Sequence, residues 1–175
     1  MSTIINLVGA KGGVGTTTTA ITLAWLGGGT VEHVGDHPDD LDAVIGGPER
    51  SFGDADLIVR DLGTLAGIDF DEISAPGRTY LVTPACYVAL RRILEADVAE
   101  MELDGIVLIE EAGRALDASD IEAVTRTSVV AKVRRDLAVA RSVDAGLLTR
   151  RVPPRFVAHP LKQLIPSTDS TMAVR

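Results

Sequence analysis

Seven residues, Thr3-Ile4-Ile5-Asn6-Leu7-Val8-Gly9, read as a short buried strand, and a glycine-rich stretch follows at once. That stretch, Gly9-Ala10-Lys11-Gly12-Gly13-Val14-Gly15-Thr16-Thr17-Thr18, runs directly into a second apolar segment ending at Gly27-Gly28-Gly29. A strand, a glycine loop and a helix in this order confine the chain to a narrow set of folds. The glycines at 12, 13 and 15 let the backbone wrap an anion without Cβ clashes. The helix start adds free N–H groups and the positive end of the dipole. Three threonines, Thr17 to Thr19, give that helix a weak intrinsic propensity, which suits a start chosen for a ligand rather than for helix strength.

Set against the phosphate-loop pattern G-x-x-x-x-G-K-[ST], Thr16 stands where the lysine belongs and Thr17 takes the hydroxyl position that meets Mg²⁺. The amide cradle is present and the main phosphate charge is missing. Lys11, earlier in the same loop, is the cation left to supply it.

Strand and helix patterns alternate along the rest of the chain. Strands are expected at Thr30–Gly35, Asp56–Asp61, Arg78–Thr83, Gly105–Ile109 and Thr127–Val133. Helices are expected at Tyr87–Met101, Asp136–Ala145 and around Arg155–Leu164, with a short one opened by the capping-box spacing Ser119-Asp120-Ile121-Glu122. Leu41–Ile45 is a further short helical segment, and Leu62–Gly67 is expected as a loop. This alternation predicts a three-layer α/β/α fold with a mostly parallel sheet and right-handed crossovers, of the P-loop NTPase kind. Residues 1–165 form its one compact domain, and 166–175 a polar tail. Functional groups in such a fold collect at the carboxyl ends of strands. Gly9–Thr17, Asp36–Asp42 and Asp61–Thr64 all follow expected strands.

The chain holds one cysteine, Cys86, and three histidines, so an intrachain disulfide is excluded and a structural zinc site disfavoured. No secretory signal or transmembrane-length run is visible, which leaves a cytoplasmic protein without stable membrane insertion as the expectation. The net charge of −8 is unevenly spread: residues 1–123 carry 7 basic and 22 acidic side chains, residues 124–175 carry 10 basic and 3 acidic ones. The basic tract, with Arg134 and Arg135 at its centre, suits DNA phosphates, an acidic partner or the acidic part of its own fold.

With these residues in place, the loop resembles the deviant P-loop ATPases of the MinD/ParA superfamily, marked by K-G-G-x-G-K-[ST]-[ST]. Lys11-Gly12-Gly13-Val14-Gly15-Thr16-Thr17-Thr18 matches that mark except at the second lysine. The resemblance implies binding of ATP or ADP with Mg²⁺ by Gly12, Gly13, Val14, Gly15, Thr16, Thr17 and Thr18. Lys11 would reach phosphate across a homodimer, and Thr17 would hold the metal. Asp61 resembles the acid after the Walker B strand, which orders Mg²⁺ through water. Asp36 resembles the switch acid that positions water, with Asp39 and Asp40 as alternatives. Leu81-Val82-Thr83-Pro84-Ala85 is similar to the family's V-x-x-P step. The implied function is a nucleotide-dependent dimeric switch in DNA partition or subcellular positioning, with weak or absent ATP hydrolysis. The alternative is a nonenzymatic scaffold for a protein partner, including a role like that of the CpaE/TadZ branch, whose loops also lack the second lysine. That branch carries a receiver-like N-terminal domain, and the loop here follows Met1 almost at once.

Overall fold

The structure is a computed structural model, and it describes residues 2–34, 49–68, 76–150 and 155–166. A seven-stranded sheet forms its middle layer. In chain order the elements are β1 (Thr3–Gly9), α1 (Thr16–Gly27), β2 (Thr30–His33), β3 (Glu49–Ser51), β4 (Leu57–Thr64), β5 (Arg78–Pro84), α2 (Tyr87–Glu95), a 3₁₀ turn at Val98–Glu100, β6 (Gly105–Glu110), α3 (Ala118–Thr125), β7 (Val129–Arg134), α4 (Leu137–Asp144) and α5 (Arg155–Lys162). The spatial order is β3-β2-β4-β1-β5-β6-β7. Every pairing is parallel except β2 with β3. The expected three-layer α/β/α architecture with a mostly parallel sheet is what the chain adopts.

The pleat sorts the apolar residues into two cores. Ile5, Leu7, Val31, Val59, Val82, Val107, Ile109, Ala131 and Val133 face α1 and α5, where Ile21, Leu23, Leu161 and Leu164 complete the packing. Val8, Leu81, Ile106 and Leu108 point the other way, toward Ala89 and Ile93 of α2 and Ile121 of α3. Adjacent residues such as Leu81 and Val82 therefore serve opposite layers, which is why these strands read as unbroken apolar runs. α1 is buried along most of its length, and two of its buried threonines satisfy their hydroxyls by back-bonding. Thr19 Oγ1 donates to Gly15 O at 2.9 Å and Thr22 Oγ1 to Thr18 O at 2.7 Å.

The structure departs from expectation in five places. The helix expected to run from Tyr87 to Met101 stops at Glu95, because Asp97 turns into the left-handed region (φ 46°) before the 3₁₀ turn. That turn brings Val98 into the core at 1% exposure. The cap of α3 is Asp117 rather than Ser119: its Oδ1 accepts from Ser119 N at 2.7 Å, while Asp120 Oδ2 accepts from Asp117 N at 2.8 Å. β4 extends past Asp61 to Thr64, through what was expected to be loop, because Thr64 still pairs with Gly9 across a register shift. β3 was not anticipated; it is a three-residue charged edge strand whose pattern carries no apolar signal. β2 ends at His33 rather than Gly35, the last described residue there being Val34. The segment Leu41–Ile45 and the polar tail from Ser167 onward lie outside the described residues.

Candidate functional site

β1 delivers the glycine loop to the carboxyl edge of the sheet, between β4 and β5. Gly13 (φ 71°) and Gly15 (φ 96°) occupy the left-handed backbone that side chains resist. Gly15 is the N-cap of α1, and no side chain caps that end. The first-turn amides thus stay available to an anion, as the loop's composition implied. A cavity of about 700 Å³ opens over this loop. Its floor is Lys11 through Thr19, one wall is Asp61 to Thr64, and the far wall is the β7–α4 corner with Arg134, Arg135 and Asp136. Val139, Ala140 and Val143 of α4 add apolar lining. The volume suits a small-molecule ligand, and the lining combines amides and hydroxyls with aliphatic carbons.

Thr17 and Asp61 meet at the mouth of the loop. Thr17 Oγ1 donates to Asp61 Oδ2 at 2.6 Å, and Gly63 N donates to Oδ1 at 3.1 Å. Asp61 is fully buried. Burial pushes its carboxyl pKa up, yet the close approach of the His33 imidazole and hydrogen bonds from Thr17 and the Gly63 amide outweigh that and hold it below the usual carboxylate value. From the sequence, His33 is simply one residue of the strand expected at Thr30–Gly35. The structure sets its Nδ1 3.4 Å from Asp61 Oδ2. The signal that could have found it was positional: His33 ends a strand at the edge where Asp61 also lies.

Thr16, in the lysine position, is 7% exposed. Lys11 Nζ donates to the neighbouring Gly12 O at 3.3 Å, so its ammonium lies at the lip of its own loop. Val14 packs into the core beneath the loop, while Gly12, Gly15 and Thr18 line the cavity. Asp36, Asp39, Asp40 and His37 lie outside the described residues. Arg134 ends β7 and Arg135 follows it, both lining the same cavity. Arg135 pairs with Glu111, which also receives Arg114, so two loops at the carboxyl edge are tied through one carboxylate. These guanidinium donors hold the Glu111 carboxyl below its ordinary pKa.

Three solved structures share this arrangement of layers. A ParA family ATPase from Chlorobium tepidum TLS has 16% identity, with 93% of this chain and 96% of that one covered and a TM-score of 0.65. The septum site-determining protein MinD from Pyrococcus horikoshii OT3, complexed with Mg-ADP, has 17% identity, 94% of each chain covered and a TM-score of 0.69. The MinC:MinD cell division protein complex from Aquifex aeolicus gives 12% identity, coverage of 95% and 98%, and a TM-score of 0.70. The chain has the fold of the MinD and ParA proteins. No protein-family model matches the chain, and no curated protein matches it by sequence.

The residues at the loop mouth fit a Mg²⁺ ion. A hydroxyl and a buried carboxylate are hard oxygen donors, and Mg²⁺ is ordinarily held by one or two protein oxygens together with substrate phosphates and water. A dedicated protein cage is not needed, and among the described residues no group of three or more His, Cys, Asp and Glu forms one. Also among the described residues, no helix is long and apolar enough to cross a membrane.

Proposed function

We propose that this chain is a divergent member of the MinD/ParA superfamily that binds ATP and ADP with Mg²⁺ and self-associates in the triphosphate state, serving DNA partition or subcellular positioning. The observation that carries the reading is the Thr17–Asp61 hydrogen bond at the mouth of the glycine loop. Two residues assigned to the metal from their places in a motif are in direct contact in the fold. The likeness in fold to MinD complexed with Mg-ADP supports the choice of ligand.

The residues divide the work by position. Backbone amides of Gly12 to Thr18 receive the phosphates at the start of α1, and the aliphatic lining from α4 takes the base end of the ligand. Thr17 and Asp61 hold the metal and its water shell. When bound, Mg²⁺ offsets the charge on the phosphate oxygens. Thr16 offers a neutral hydroxyl where an ammonium would stabilise the transferring phosphoryl group, so binding is retained while hydrolysis is weak or absent. Lys11, whose ammonium rests on the Gly12 carbonyl of its own loop, would meet the phosphate of a second subunit rather than its own.

Light scattering of the full chain with ADP, ATP and no nucleotide tests the switch. The reading expects a mass increase with Mg²⁺-ATP alone, and Lys11→Ala should reduce that association more than it reduces ADP affinity. A mass that ignores nucleotide in all three conditions would reject the switch.

Thr16 also supports a second reading, a nonenzymatic scaffold that binds a protein partner whatever the nucleotide, as in the CpaE/TadZ-like role. The MinC:MinD complex makes a protein partner a natural expectation for this fold. Partner capture unaffected by ATP, ADP or chelation would favour it. DNA binding by Arg134 and Arg135 is separable from both: reversal of the pair to Glu should abolish salt-sensitive binding to an unrelated duplex.

A further inference from the structure

His33 is the last residue of β2, and its side chain is 3% exposed. The parallel register sets it beside Asp61 of β4, just as Val31 sits beside Val59 one pleat earlier. Val31 and Val59 are apolar and belong to the core beneath α1. The same face therefore changes, within one pleat, from an aliphatic pair to an imidazole–carboxylate pair. A residue there to fill space would continue the aliphatic pattern. A carboxylate accepts and does not donate when ionised, so an imidazole that donates to Asp61 across the 3.4 Å contact does so from Nδ1.

Asp61 is then held from three elements. The Gly63 amide of its own strand engages Oδ1, while Thr17 of α1 and His33 of β2 both approach Oδ2. The Thr17 hydroxyl is the one of these that a divalent cation would draw away. We infer that His33 is a positioning residue for the metal site, fixing the Asp61 carboxylate from β2 so that it keeps its orientation when Thr17 turns to the cation. The inference rests on the Mg²⁺-nucleotide reading above and assigns His33 to the outer shell of that site. Groups that orient a ligating or water-ordering carboxylate typically change metal affinity by about 10- to 100-fold when removed.

The test is a calorimetric ADP titration of the full chain, in EDTA and across a Mg²⁺ series, for the wild type, His33→Leu, His33→Asn and His33→Gln. Asparagine sets its amide nitrogen close to the Nδ1 position, while glutamine carries it further out. The expected result is that His33→Leu and His33→Gln raise the Mg²⁺ concentration needed for half-maximal effect by about tenfold or more. ADP affinity in EDTA should stay within about twofold, and His33→Asn should recover most of the Mg²⁺ effect. If the leucine variant does not fold, the asparagine–glutamine difference decides. Equal Mg²⁺ dependence in asparagine and glutamine variants, or a wild type whose ADP binding ignores Mg²⁺, overturns the inference and leaves nucleotide binding standing. A wild type that binds no ADP in any condition overturns both.

Discussion

Thr16 packs directly over Gly9, so closely that a Cβ on Gly9 would stand 2.3 Å from Thr16 Oγ1. The same Cβ would lie 3.1 Å from Val14 Cγ2 and 3.2 Å from the Gly63 carbonyl oxygen. The first glycine of the loop is therefore required by packing rather than by its backbone angles. It lets the residue in the lysine position, the loop's apolar anchor and the strand bearing Asp61 close on one point.

Gly9→Ala should accordingly cost about 1–3 kcal/mol, the usual range for overpacking a tight site. Gly63 O is backbone and cannot swing aside, so the loop itself must shift. Thermal melts followed by far-UV circular dichroism should show a lowered Tm, and nucleotide affinity should fall even where the variant is folded. An unchanged Tm would mean that the loop is looser than the contacts around Gly9 indicate.

The loop and the hydroxyl proposed for the metal were legible in the sequence because their chemistry is local: glycines, a lysine and hydroxyls at fixed spacing. Asp61 was legible as the acid at the exit of an apolar strand. His33 was not, since its role comes from a register between β2 and β4 that no spacing encodes. The layers followed from alternating apolar segments, while β3 escaped because Glu49-Arg50-Ser51 has no apolar pattern at all. The end of α2 was missed for a related reason. The apolar content of Tyr87–Met101 continues past Glu95, and the break depends on Asp97 adopting φ 46°. Arg134 and Arg135 were read as part of a basic tract, and only the fold brings them to the lining of the cavity.

Acid stability should depend on Asp61. Its folded-state pKa lies below the ordinary value of 3.8, so the folded protein favours the carboxylate more than the unfolded chain does. A depressed pKa contributes stability that is present above the unfolded value and lost as pH falls through the folded one. The loss thus begins near pH 4 and deepens below it. Denaturant unfolding of ligand-free protein between about pH 2 and pH 6 should show a shallower acid limb for Asp61→Asn than for the wild type. Parallel limbs would place the acid sensitivity in other carboxylates.

Restoring the missing lysine tests the geometry of the loop from the opposite direction. Thr16→Lys returns an ammonium to the phosphate end of the cavity, and a charge-assisted hydrogen bond there contributes roughly 1.5–3 kcal/mol. ATP affinity should therefore rise by about tenfold or more, with a smaller gain for ADP and none for adenosine. Competitive displacement of a fluorescent nucleotide measures all three. An equal gain for adenosine would mean that the new side chain acts through packing, not through phosphate.

The central claim is that the loop and the Thr17–Asp61 pair bind a Mg²⁺-nucleotide. Isothermal titration of the folded full chain with ATP, with and without Mg²⁺, addresses it most directly. The account predicts saturable binding that strengthens with Mg²⁺ and loses that Mg²⁺ gain in Thr17→Ala. Absence of binding at millimolar ATP with Mg²⁺ present, in a sample shown to be folded, would contradict it.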